Sequence, residues 1–178
     1  DKVSEYDQNI VVRGERSDRS SHSNNKQSGD SELMDTVNEL IRAGNNLQDS
    51  TNNYAEEGAF EQALKTNDEA QRVYEDALET ATETDLIDSE EIEQKLTAVQ
   101  DQREEIHRRR LQARVDSLRS DVSRAVELAD GGEFEAAKDR LLDLESALTS
   151  VRETATEHGL NGLRDEIQTI DERREKYI

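Results

Sequence analysis

The sequence predicts an all-α protein: two tandem antiparallel three-helix bundles sharing one long continuous helix, preceded by a flexible N-terminal tail. Three observations predict it. The 178 residues include no proline, where average usage of about 5% would give roughly nine, and only eight glycines, so helices can run almost without interruption. Apolar residues recur at alternating spacings of four and three, which places them on a single seam of a helix. The pentapeptide ETATE occurs at 79–83 and again at 153–157, an offset of 74 residues. That offset also carries Gly58, Phe60, Glu61 and Ala63 onto Gly132, Phe134, Glu135 and Ala137, Ala55 onto Ala129, and Leu86 onto Leu160. One ungapped offset that matches a turn, a helix start, a helix end and the next helix start points to a duplicated unit.

Residues 1–30 are expected to form the tail. VSEYDQNIVVRG has strand character and reads as the stump of a preceding domain, or as a segment docking through Ile10 and Val12. ERSDRSSHSNNKQSGDS is dense in Ser, Asn and charge and cannot bury enough apolar surface to order itself. A first helix, capped by Asp30 or Ser31, carries Leu33, Val37, Leu40, Gly44, Leu47, Thr51 and Tyr54 and stops at Gly58. The second presents Phe60, Ala63, Asn67, Ala70, Tyr74, Ala77 and Ala81, and the short connection at Gly58 makes the two antiparallel neighbours. DLIDSEE breaks the second helix; Asp88 or Ser89 caps the third, and Glu90 and Glu91 sit in its first turn, where the helix dipole favours acids.

No breaker follows until Gly131-Gly132, so the third helix runs on for about 43 residues, or about 65 Å. Ile92, Leu96, Val99 and Ile106 form one stripe on it, and Leu111, Val115, Leu118, Val122, Ala125 and Ala129 another, turned by about 100°. The helix is therefore expected to serve two cores, with the joint at 107–110, a first bundle over 31–106, a second over 107–178, and an extended overall form. A fourth helix carries Phe134, Ala137, Leu141, Leu144, Leu148, Val151 and Ala155 and ends at HGLNG. A fifth carries Leu160, Leu163, Ile167, Ile170 and Tyr177.

With 31% hydrophobic and 3% aromatic residues the core must be thin, so two units of about 70 residues depend on regular helix packing. The net charge of -20 opposes duplex DNA and anionic membrane surfaces and favours basic partners. There is no cysteine, hence no disulfide and no thiolate ligand or nucleophile. The longest apolar runs, such as Ile10-Val11-Val12, are too short for a membrane span or signal peptide, which favours the cytoplasm. The chain begins at Asp1 rather than Met, as expected of a fragment or processed form. Arg outnumbers Lys 17 to 6, and this acidic, Lys-poor composition resembles that of proteins from extreme halophiles.

Tyr54-x3-Gly58-x-Phe60-x2-Ala63-x6-Ala70, and Leu128-x3-Gly132-x-Phe134-x2-Ala137 in the second unit, resemble the tetratricopeptide hairpin. The second helix continues past where that repeat ends, no proline closes the unit, and the period is 74 rather than the roughly 34 of that family. Three helices per unit with a G-x-aromatic-x-x-A hairpin resemble more the microtubule-interacting-and-trafficking three-helix domain, and the shared helix is similar to spectrin-type arrays. An aromatic that the former pattern expects near Asn67 and Leu141 is missing. What the resemblance implies is an interaction module.

The one basic concentration is His107-Arg108-Arg109-Arg110, followed by Arg114, Arg119 and Arg124, with a local charge of +4 over 107–124. Arg108, Arg109, Arg110 and Arg114 are the candidate partner-binding residues: the band could grip phosphate, an acidic segment or a second copy of the chain, or simply neutralise acidic neighbours. No aromatic residues interleave it, as stacking on nucleic acid would require. His22, His107 and His158 are far apart in sequence and read as solvated surface, and the acids of DLIDSEE lack calcium-loop spacing. No catalytic residue, metal ligand or cofactor motif stands out, and no small-molecule substrate is evident. The leading expectation is a non-enzymatic scaffold or adaptor, accepting a partner helix beside Ala63, Ala70, Ala77 and Ala81 unless its own helices cover them. The alternatives are a self-associating rod and a regulatory helical appendage of an enzyme whose catalytic domain lies upstream.

Overall fold

The structure, a computed structural model, describes residues 4–84 and 89–178, and side chains over 29–82 and 89–178. Five helices make up the described chain: α1 (Ser4–Glu56), α2 (Phe60–Thr84), α3 (Glu90–Asp130), α4 (Phe134–Glu157) and α5 (Asn161–Glu175). Among the described residues there is no strand, so the fold is all-α.

The beginning of the chain departs from the reading given above. α1 starts at Ser4, not near Ser31, so the segment read as strand-like and the polar run after it are both helical in backbone, and neither Asp30 nor Ser31 caps a helix start. No proline stands in this stretch to remove an amide or block a turn, so α1 continues backward from its apolar seam. Docking through Ile10 and Val12 lies outside the described side chains, and the Asp88 cap and the match of Leu86 to Leu160 lie outside the described residues.

α3 runs unbroken from Glu90 to Asp130, with Glu90, Glu91 and Glu93 in its first turn. Three hydrophobic clusters form among the described residues. One gathers Val37 from α1, Ala70, Tyr74, Ala77 and Ala81 from α2, and Ile92 and Val99 from α3. A small one joins Ala55, Ala63 and Ile106, with Phe60 and Leu64 packed against it. The largest combines the second stripe of α3 with Leu141, Leu148, Val151 and Ala155 of α4 and Leu163, Ile167 and Ile170 of α5. The described contacts do not cut the chain at 106. They group 1–52 with 65–101 as one unit, and 53–64 with 102–178 as the other, so the first hairpin tip belongs with the second unit.

The turns repeat with the 74-residue offset. At Gly58 the amide of Ala59 reaches the Tyr54 carbonyl at 2.8 Å and that of Gly58 reaches Ala55 at 3.3 Å. At Gly132 the amides of Glu133 and Gly132 reach Leu128 at 2.9 Å and Ala129 at 3.0 Å, the same residue pairs displaced by 74. Gly58 and Gly132 adopt φ of 75° and 89°, the left-handed residue that this helix-ending motif places just past the cap. A third turn of the same form lies at Gly159, φ 66°.

The cores use polar residues differently at matching levels. In the first unit Asn67 of α2 is buried and its Nδ2 donates to the Val99 carbonyl of α3 at 3.1 Å. Its counterpart Leu141 is apolar, and there the donor is the buried Arg174 of α5, whose Nη1 lies 3.5 Å from the Leu141 carbonyl.

Candidate functional site

The arginine band lies on α3, and its residues part company once their neighbours are seen. Arg108 donates through Nε and Nη2 to the two carboxylate oxygens of Glu105, each at 2.7 Å, and Arg109 Nε donates to Glu105 Oε1 at 2.7 Å. The hydrogen bonds from Arg108, then Arg109, pull the Glu105 carboxyl down to about 2. Arg119 pairs with Asp116 at 2.9 Å and Glu166 at 2.6 Å, and Arg124 with Asp121 at 3.5 Å. These four arginines are neutralised mostly within one turn of their own helix. Arg110 reaches Glu61 of the first hairpin tip at 2.5 Å. Arg114 is exposed and forms no ion pair among the described residues.

Arg110 and Arg114 line a cleft of about 210 Å³ between α3 and α4, together with His107 and Leu111 of α3 and Ser150, Val151, Thr154 and His158 of α4. Residues 107, 110, 111 and 114 share one face of α3 because three- and four-residue steps bring side chains into register along a helix. Leu111 and Val151 are core residues, so the floor is apolar and the rim carries the guanidinium, imidazole and hydroxyl groups.

The sequence reading of the histidines as solvated surface holds for His158, which is exposed, whereas His107 is half-buried. His107 and His158 are separated by half the second unit in sequence, yet their rings stack with centroids 5.2 Å apart and planes 22° from parallel. His158 stands at the C-terminal end of α4, where the Gly159 turn brings it opposite His107. Helical spacing within one segment could not reveal a pair on two antiparallel helices. His22 lies outside the described side chains.

The alanine seam offers no opening. Ala63, Ala70, Ala77 and Ala81 are all buried, Ala63 against Ile106 and the other three in the cluster with Ile92 and Val99. A different surface is open instead. Phe60 packs against Ala55, Ala63 and Ile106 at the first tip, whereas its counterpart Phe134 at the second tip is 69% exposed. Leu64, which also packs there, is replaced by Lys138.

Among the described residues no group of three or more His, Cys, Asp or Glu side chains is placed to hold a metal ion, and no helix is long and apolar enough to cross a membrane. No protein-family model, curated protein or solved structure matches the chain.

Proposed function

We propose that this chain is a non-enzymatic helical scaffold that acts through protein-protein contacts, and that the tip at 128–137 receives a partner helix. The observation that carries the reading is the contrast between Phe60, packed against Ala55, Ala63 and Ile106, and Phe134, 69% exposed among these 178 residues, where the 74-residue counterpart of Ile106 would be position 180. The repeat supplies the template for the occupant. At the first tip the covering helix presents an aliphatic residue, Ile106, to the aromatic and a basic residue four positions on, Arg110, to Glu61. Glu135 is the counterpart of Glu61, so the expected partner is an amphipathic helix carrying an aliphatic residue and, one turn later, Arg or Lys. A basic partner also suits a chain of net charge -20. The resemblance of the hairpin to three-helix interaction domains agrees with this reading.

The test uses a labelled peptide copying residues 100–114 as the probe helix, titrated into the full chain and followed by fluorescence anisotropy. Saturable binding that Phe134→Ser removes and Phe60→Ser leaves in place supports the proposal. Binding that survives Phe134→Ser, or no binding at all, overturns it. Light scattering on the unmodified chain distinguishes a self-associating rod, which would show a mass that grows with concentration and falls back in Phe134→Ser.

A further inference from the structure

We propose that the cleft between α3 and α4 is a binding site for a phosphomonoester group, a property separate from the helix-docking tip. Its eight lining residues include two arginines, two histidines and two hydroxyl residues and no carboxylate, in a chain where acids outnumber Lys and Arg 43 to 23. Every other arginine of the 107–124 band is matched to a carboxylate, whereas Arg114 faces the cleft with none among the described residues.

The donor set fits a tetrahedral dianion. The planar guanidinium fork of Arg114 matches two phosphate oxygens, and charge-assisted hydrogen bonds of this kind are the strong ones. Arg110 is held at Glu61 through Nη2, and a guanidinium has five N–H donors, so that pairing leaves donors for a second anion. Ser150 and Thr154 stand one turn apart on α4, each contributing a hydroxyl to the cleft wall. Thr154 Oγ1 donates its hydrogen to the Ser150 carbonyl at 3.0 Å, so the Ser150 hydroxyl is the donor this wall offers a dianion, and Thr154 would join it only by turning from that carbonyl. The stacked imidazoles of His107 and His158 close one end.

Size and surroundings narrow the ligand class. About 210 Å³ falls below the roughly 300–1,000 Å³ of sites that enclose drug-sized ligands, so the cleft takes a phosphate head with a short stem rather than a whole nucleotide. The apolar floor of Leu111 and Val151 suits the carbon that bears the ester. A polyanion is opposed by the charge of the rest of the chain, and no aromatic ring lines the cleft apart from the two imidazoles. A phosphorylated serine or threonine of a partner and a free small phosphomonoester share this chemistry.

The experiment follows the imidazole carbon-bound protons of the full chain by NMR at fixed pH and ionic strength, adding inorganic phosphate, O-phosphoserine or a phosphoserine peptide, with chloride as the exchange anion. Saturable shifts of His107 and His158 with the phosphate ligands are expected. Arg114→Ser should weaken them by about tenfold or more, as loss of a bidentate guanidinium contact implies. Arg109→Ser, which alters only a residue tied to Glu105, should bind as the unmodified chain does. Tighter binding of the peptide than of O-phosphoserine identifies a protein source, and equal binding a free phosphomonoester. Shifts that fail to saturate, or an Arg114→Ser chain that keeps native helicity and full affinity, overturn the proposal.

Discussion

Gly44 of α1 lies directly against the ring of Tyr74 of α2: a Cβ at Gly44 would stand 2.5 Å from Cε1 and 2.6 Å from Cζ. Tyr74 is fully buried, and its hydroxyl lies 2.8 Å from both Asn45 Oδ1 and Gln48 Oε1. Lys95 Nζ donates to the same Asn45 oxygen at 2.9 Å, so α1, α2 and α3 meet around this ring. In a unit whose α2 seam is otherwise Ala and Asn, Tyr74 fills the space, and the missing side chain at Gly44 makes room for it.

Gly44→Ala is therefore expected to destabilise the first unit. Alanine gains up to about 1 kcal/mol of helix propensity over glycine, but overpacking against a locked ring costs about 1–3 kcal/mol. The ring cannot swing aside without giving up its hydroxyl contacts, which puts the cost at the upper end. Gly29→Ala, on the same helix with nothing within 4 Å of the new Cβ, is the control and should be neutral or slightly stabilising. Urea unfolding followed by circular dichroism checks both; equal midpoints for the two variants would contradict the packing argument.

The same tyrosine gives a pH signature. Burial, then the charges of Asp49 and Glu91, push its hydroxyl up to about 12, above the ordinary value near 10. Because the folded state holds the proton more tightly, this stabilisation is complete below pH about 10 and drains away as the pH climbs toward about 12. Tyrosinate absorbance should show one late-titrating ring that Tyr74→Phe removes, and the unfolding midpoint of the unmodified chain should fall across that window.

In the second unit Asp171 is bridged by two arginines, Arg152 at 2.6 Å and the buried Arg174 at 2.8 Å. Burial alone raises the Asp171 carboxyl, but the hydrogen bonds and charges of Arg152 and Arg174 outweigh it and hold the group below its usual value. Its contribution is thus present above the unfolded carboxylate value of about 4 and is lost as pH falls through the lower folded one. Asp171→Asn leaves a buried guanidinium without its nearest anion and should cost about 3 kcal/mol, whereas Arg174→Met, which removes the charge and keeps the stem, should be close to neutral. Denaturant titrations at neutral pH decide it, and a larger loss for Arg174→Met would reverse the assignment.

What the sequence made legible was what lies along one helix. The four-and-three spacing of Ala63, Asn67, Ala70, Tyr74, Ala77 and Ala81 identifies a buried seam because helix period alone fixes which residues share a face, and all six are buried. The turn glycines were legible because a left-handed residue leaves few other choices. What faces across between helices was not. The pairing of His107 with His158 and of Arg110 with Glu61 depends on which antiparallel helix lies opposite, and neither charge nor spacing encodes that. The matching of Arg108 and Arg109 to Glu105 lies within one turn of α3 and was open to a reading of the spacing. The extension of α1 to Ser4 was missed because a polar composition without proline permits a helix that its low apolar content gives no reason to expect.

The two tips allow a paired measurement in which one half acts as the control for the other. Gly58→Ala and Gly132→Ala each force a Cβ into the left-handed region at a site with open space around it, so the cost is conformational and should be about 1 kcal/mol at both. Phe60→Ala and Phe134→Ala should part instead. Phe60 loses contacts with Ile106, Ala55 and Ala63 and should cost about 1–2 kcal/mol, less than a fully buried phenylalanine because it is only half-buried. Phe134 has little to lose, and its replacement should stay within about 0.5 kcal/mol. Equal glycine costs with unequal phenylalanine costs in urea unfolding would mean that the duplicated turn is intact at both tips while, among these 178 residues, only the first is covered. If Phe134→Ala proved as costly as Phe60→Ala, the second tip would have to be covered within the folded chain, and no surface would remain there for a partner helix.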